Sequence, residues 1–161
     1  MKIAQVEPLV VRVNHRGDWV FVQVHTDEGL TGLGEASHGG NDALVVATLR
    51  SFGERLRGRD PRHIHAIWRL LNSPHAGRAE RTALSGLEQA LWDILGQSLD
   101  APIHALLGGA VRDRVRLYAN INRHVTDRSP AGFAEAARRA VAEGFGAPGR
   151  PGGPAWSACK R

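Results

Sequence analysis

Among the side chains in this sequence that could donate hydrogen bonds to an acidic group are His15, Arg16 and His38, which solvated loop positions would equally account for. The first two lie in the polar segment Asn14–Asp18 and the third in Ser37–Asn41. An arginine can hold a carboxylate through two parallel N–H donors, and a histidine adds another. Other groups are less apt. His63 and His65 are two apart on a predicted helix and point different ways, whereas a metal-binding pair on a helix favours a spacing of four. Glu88 and Asp93 sit on a long predicted helix and are read as structural, making helix-surface or capping contacts beside Trp92. Gly32-Leu33-Gly34 is too short a pattern for a phosphate loop. Cys159 has no base near it in sequence and reads as a free thiol. As the single cysteine, it also excludes an intrachain disulfide framework and a Cys-based zinc cluster.

The formal net charge of +5 invites a nucleic-acid reading until the charges are placed. Residues 147–161 carry Arg150, Lys160 and Arg161 and no acid, which leaves the rest of the chain near balance. Arg50, Arg55, Arg57, Arg59 and Arg62 cluster, but Glu54 and Asp60 lie among them, the pattern of a solvated helix end. No basic stripe is interleaved with aromatics. No apolar run approaches the ~18 residues that cross a bilayer. Met1–Val13 alternates, so it lacks the continuous apolar centre of a secretory signal. The expectation is a cytoplasmic chain with neither nucleic acid nor membrane as partner.

The elements that would position these groups follow from periodicity. Ile3–Val13 and Trp19–Thr26 read as strands, the second with Val20, Val22 and Val24 on one face. Pro8 argues that the first is an edge strand. Asp27-Glu28-Gly29 makes a tight turn into a third strand, Thr31–Ser37, whose Gly32 and Gly34 would admit another backbone closely. Helical spacing then takes over. Val45, Leu49, Phe52 and Leu56 mark one helix opened by Asn41 or Asp42. Asp60-Pro61 is expected to open a second, carrying Ile64, Trp68 and Leu71. Arg78–Gln97 forms the longest, with Leu84, Leu87, Leu91 and Leu95 in a stripe widened by Ala83, Ala90 and Ile94. A short turn of helix follows at Pro102–Leu107. Beyond it Val115–Ile121 reads as a strand with Leu117 and Tyr118 in its core, and Ser129-Pro130 caps a helix carrying Phe133, Ala136, Ala137, Ala140 and Val141. Residues 147–161 are rich in Gly and Pro and read as a disordered tail.

Several of these segments together resemble a known family. Thr26-Asp27-Glu28-Gly29-Leu30-Thr31-Gly32-Leu33-Gly34-Glu35-Ala36 resembles the β-hairpin of the enolase superfamily, in its mandelate racemase and muconate lactonizing enzyme group. Ser85–Gly96 is similar to that group's long capping-domain helix, Ala101–Gly109 continues in register, and Val115–Asn120 resembles its first barrel strand. The match covers about residues 1–145 in the right order. It implies an α+β fold: a three-stranded antiparallel meander packed on a helical bundle as a capping domain (1–110), one βα unit of an incomplete TIM-like barrel (111–146), and the tail (147–161). In such proteins two capping loops close over the substrate. Asn14–Trp19 and Ser37–Asn41 fall where those loops would be, which makes His15, Arg16, Trp19, His38 and Asn41 the substrate-loop candidates. Asn120 and Asn122 join them, since they close the first barrel strand at the end where TIM-barrel active sites assemble.

The resemblance further implies chemistry that this chain is poorly equipped to perform. The family uses Mg²⁺ bound by acidic residues at barrel-strand ends, and a Lys or His base that removes the proton α to a carboxylate. A barrel needs roughly 250 residues, and about fifty follow Asp113. After Gly144-Phe145, where relatives carry a Lys-x-Lys-like motif, the chain reads Gly146-Ala147-Pro148-Gly149-Arg150-Pro151. Lys2 and Lys160 are the only lysines. No catalytic or metal-binding residue is therefore carried over. The change near Gly146 suggests a truncated or frameshifted product. The expectation is a capping domain whose parent enzyme abstracts an α-proton from a carboxylate, with acid-sugar dehydration first and racemisation or cycloisomerisation open, and a chain that is inactive by itself. A non-catalytic module or inert remnant is the alternative. The unpaired strand edges and uncovered helix face of the βα unit lead to an expectation of weak self-association.

Overall fold

The computed structural model describes residues 1–14, 17–37, 40–115 and 117–145. The chain divides into two compact units, Met1–Gly109 and Ala110–Arg161. The first opens with three antiparallel strands in the order β1-β2-β3: β1 Ile3–Asn14, β2 Gly17–Thr26 and β3 Thr31–Glu35. Val20, Val22 and Val24 share one face and are fully buried, as period-two alternation requires. β1 lies at the sheet edge, where Pro8 is tolerated. The β1–β2 hairpin is longer than expected, because Asn14 pairs with Gly17 and Arg12 with Asp18. Backbone groups that a five-residue loop would leave to water gain ladder partners instead. At the other turn Thr26 N donates to Leu30 O (2.9 Å) and Leu30 N to Thr26 Oγ1 (3.0 Å), while Gly29 takes φ +86°, which its lack of a Cβ permits.

α1 and α3 cover the valine face, and α2 and α4 pack against α3. α1, Asp42–Leu56, buries Val45, Leu49, Phe52 and Leu56, the stripe its spacing predicts. α2, Ile64–Leu71, starts later than predicted. The Asp60 carboxylate does not cap it but turns to Arg62, accepting from its backbone N (2.9 Å) and from Nη2 (2.6 Å). That side-chain hydrogen bond holds Asp60 well below the usual carboxylate range. Ile64, Ile67 and Leu71 form the buried stripe, and Trp68, expected on it, is exposed because the face turned to the core centres on Ile67 instead. α3, Arg78–Ser98, is the spine of the core, and α4, Ile103–Leu106, follows it. Part of the arginine cluster is tied down rather than merely solvated. Arg55 Nη2 donates to the Leu70 carbonyl of α2 (2.8 Å) and Arg59 Nε to the Arg55 carbonyl (3.1 Å).

β3 rests directly on α3. A Cβ at Gly34 would strike the Gly86 carbonyl oxygen, and one at Gly32 the Ala90 carbonyl oxygen. The glycines therefore bring the two backbones into contact. Three polar side chains on one flank of α3, spaced four apart, then reach the outer edge of β3. Asp93 Oδ2 accepts from Leu33 N (2.9 Å), Gln89 Oε1 from Glu35 N (3.2 Å), and Gln97 Nε2 donates to Thr31 O (2.8 Å). These contacts satisfy ladder groups that an edge strand otherwise leaves open.

In the second unit, α6 (Pro130–Ala142) is capped by Ser129, whose Oγ accepts from Gly132 N (3.1 Å). Asp127 accepts in turn from Ser129 N and Oγ, and the bond from that backbone N–H is the main cause of its lowered pKa. A helical turn, α5 (Ile121–His124), supplies Ile121 to a small core with Val125, Ala136 and Ala140. Val141, expected on the apolar stripe, is exposed. The predicted strand at Val115–Ile121 is not a ladder: Leu117 and Ala119 form isolated bridges, and Ile121 already belongs to α5. Leu117 and Tyr118 are exposed rather than core. The tail prediction, 147–161, and Cys159 within it lie outside the described residues. Among the described residues no helix is long and apolar enough to cross a membrane.

Candidate functional site

Two short segments leave the sheet at the same end. β1 passes to β2 between Asn14 and Gly17, and β3 leaves the sheet after Glu35, which pairs with Phe21. The junction is fixed by two hydrogen bonds to one residue: Ala36 N donates to Val20 O (2.7 Å), and Val20 N donates to Ser37 Oγ (3.1 Å). At about 3.3 Å per strand residue, the Gly17 end of the hairpin lies ~10 Å from this clamp. A ligand of a few carbons could touch both segments.

His15, Arg16 and His38 lie outside the described residues, and only the anchors on either side of them are defined. Trp19 is on β2, opposite Val11, with its ring edge-on to Phe21 (centroids 6.1 Å, 89° between planes) and half exposed on the open face of the sheet. Asn41 is the residue before α1. Its carbonyl accepts from Leu44 N and Val45 N, and its side chain makes no capping bond. It lines a shallow groove with Leu44 and Thr48 of α1 and residues 77–80 at the start of α3. Trp19 thus directly precedes Val20, the residue bonded to Ala36 and Ser37, whereas Asn41 lies at the start of α1. Asn120 and Asn122 belong to the second unit. Asn120 precedes α5 without a side-chain cap bond, and Asn122 Oδ1 accepts from Arg128 Nη2 (2.7 Å). Arg128 also stacks over the Phe133 ring at 5.3 Å.

Sequence reasoning missed Ser37 as the clamp. A lone serine after a strand carries no local signal of a bond to a residue seventeen positions earlier. Asp93 makes a structural contact, accepting from Leu33 N. The Gln89–Asp93–Gln97 spacing was the readable sign of a polar seam along α3.

The Mg²⁺ that the resemblance implies was tested against these side chains. Among the described residues no group of three or more His, Cys, Asp or Glu side chains could hold a metal ion. The donors among the described residues do not fit it.

A three-stranded meander on a helical bundle, with two loops leaving one sheet end, defines a capping-type α+β domain. Residues 3–108 match the family described as mandelate racemase / muconate lactonizing enzyme, N-terminal domain, and the chain belongs to that family. It is 41% identical over 104 residues to D-galactonate dehydratase of Variovorax paradoxus, covering 63% of this chain and 27% of that protein. To D-galactonate dehydratase of Verminephrobacter eiseniae it is 38% identical over 148 residues, 90% of this chain and 37% of the relative. Among solved structures, an enolase from Agrobacterium radiobacter with Na and L-malate bound superposes with a TM-score of 0.69 at 36% identity, over 75% of this chain and 31% of that one. The chain spans between a quarter and two fifths of the length of these proteins.

Proposed function

We propose that this chain is the substrate-covering cap of an enzyme that abstracts the α-proton of a carboxylate substrate, an acid-sugar dehydratase first among the options, and that the chain by itself does not turn over. The observation carrying this reading is the double hydrogen bond that joins Val20 to Ala36 and Ser37 and so holds both loop exits at one sheet end. The names of the D-galactonate dehydratase relatives favour dehydration over racemisation or cycloisomerisation. The role of His15 and Arg16 is to grip the carboxylate bidentately and by an added donor; His38, Trp19 and Asn41 meet the substrate from the second exit and the strand start. Asn120 and Asn122 contribute polar contacts. Inactivity of the isolated chain is supported by the lack of a metal-donor group among the described residues and by the lysine inventory: Lys2 precedes β1, and Lys160 is the other.

The division into cap (1–110), barrel-like unit (111–146) and tail (147–161) belongs to the same proposal. So does a cytoplasmic setting, for which the single cysteine speaks. Two measurements test it. Purified protein incubated with Mg²⁺ and a panel of sugar acids in D₂O, followed by NMR at the α-carbon, should show no exchange above background; exchange would overturn the inactive reading. Titration of the ¹⁵N-labelled chain with D-galactonate should move the Trp19 indole and Asn41 amide signals first. Shifts confined to residues far from both sheet exits would refute the assignment of this end as substrate-facing.

A further inference from the structure

The two edges of the sheet are treated differently. The outer edge of β3 is closed by Gln89, Asp93 and Gln97 of α3. The first residue of β1 is likewise engaged, since Ile3 N donates to Arg59 O and Gly58 N to Ile3 O, both at 2.8 Å. From Val6 onward, β1 pairs only with β2. The direction of its remaining backbone groups follows from the ladder. Thr26 N and Val20 O bond toward β3 and the residues flanking it, so even-numbered positions of β2 face that side. The odd-numbered Trp19 and Phe21 therefore bond toward β1 and take up the groups of Val11 and Leu9, leaving the N–H and C=O of Val10 and Arg12 directed outward. Pro8, which has no N–H to give, is also an outward position.

The far half of this open edge is apolar on both faces. Val10 is 51% exposed on the helix-facing side and Val11 45% exposed on the other, while Val13, at the register shift between Arg12 and Asn14, is 40% exposed. A partner lying on the open sheet face would cover Val11 and leave Val10 in water. A strand added alongside β1 covers both.

We propose that Leu9–Val13 is a strand-pairing site for the same segment of a second copy, antiparallel about a two-fold axis at Val11. The segment is self-complementary in that register. Val10 of each copy exchanges N–H···O bonds with Arg12 of the other, which makes four main-chain bonds without using Pro8. Val11 meets Val11, and Leu9 meets Val13. Arg12 enters beside its own cross-strand neighbour Asp18, which offsets the like charge. Five residues span only ~17 Å, so the contact falls well short of the ~800 Å² per partner of a stable interface. It is therefore weak and concentration-dependent. This inference stands apart from the proposed function, since it uses neither loop.

Sedimentation velocity of the full 161-residue chain over a hundredfold concentration range tests it. The weight-average mass should climb from one toward two chain masses. Val10→Pro removes an outward N–H and no β1–β2 bond, and Val11→Lys places a charge on the axis; each should raise the association midpoint at least tenfold with an unchanged circular dichroism spectrum. In a Cys159→Ser background, Val11→Cys should form an intermolecular disulfide on mild oxidation, because residues facing each other on the axis bring Cα atoms to ~4.5 Å; Gln5→Cys should not. A mass that stays monomeric throughout, or association that persists unchanged in Val10→Pro and Val11→Lys, would overturn the proposal.

Discussion

Gly34→Ala is the sharpest test of how this fold is held together. Gly34 has no unusual backbone angle to protect, so the argument rests on space alone. An added Cβ would lie inside contact distance of the Gly86 carbonyl oxygen, 2.9 Å from the Gly86 carbonyl carbon and 3.0 Å from Ala90 N. All three are backbone atoms of the buried helix α3, so no side chain can swing aside. Relief of the contact with the Gly86 carbonyl oxygen requires β3 to lift by roughly 1.5 Å, since carbon needs ~3.5 Å from its neighbours. The lift also strains the bonds on either side, Leu33 N to Asp93 (2.9 Å) and Glu35 N to Gln89 (3.2 Å), and would take both beyond hydrogen-bond range. Overpacking of this kind costs about 1–3 kcal/mol, and each weakened hydrogen bond about another 1 kcal/mol. The total, about 3–5 kcal/mol, is a large share of the 5–15 kcal/mol by which domains are usually stable. Urea unfolding followed by far-UV circular dichroism should show the midpoint falling steeply with little change in slope. Gly29→Ala is the control, because its φ of +86° is unfavourable but its Cβ meets nothing; about 1–2 kcal/mol is expected there. A loss below 1 kcal/mol at Gly34, or a greater loss at Gly29, would refute the reasoning.

Asp93→Ala should expose the edge of β3, raising hydrogen exchange at the Leu33 amide at least tenfold and destabilising by about 1 kcal/mol; an unchanged Leu33 amide would show that the seam carries nothing. Asp60, held below its usual range by the Arg62 side chain, contributes fully above the unfolded carboxyl's pKa of about 3.9 and loses that contribution as pH falls toward the lowered folded value. Asp60→Asn should flatten this acid limb in a series of urea midpoints between pH 5 and 2, and an identical limb in the variant would count against the Arg62 clip. Ser129→Ala removes the cap of α6 and should cost that unit about 1 kcal/mol, seen as faster exchange at the Gly132 amide. Ser37→Ala should release the Val20 amide to exchange while leaving Val22 and Val24 protected; equal loosening along all of β2 would mean that Ser37 is merely part of the core.

The hairpins, the apolar stripes of α1 and α3, and the order of elements were legible because they are local. Alternating valines and leucines every three to four residues specify a face before any partner is known. Gly32 and Gly34 announced a close approach without naming what approaches. Only the folded chain identifies Gly86 and Ala90 as the answer, because they lie more than fifty residues away. The same limit explains the misreadings. Asp60 had the sequence of a helix cap, but Arg62, two residues on, offered a charged partner and won the carboxylate. Val115–Ile121 had the composition of a strand, but among its described residues only Leu117 and Ala119 pair, as isolated bridges, and Ile121 already belongs to α5. The candidate loops were placed by resemblance, whereas their common end was decided by Val20 bonding Ala36 and Ser37. Periodicity is written into the chain one residue at a time. Which backbone donor meets which distant acceptor depends on three-dimensional closure, and that is decided only when the layers pack.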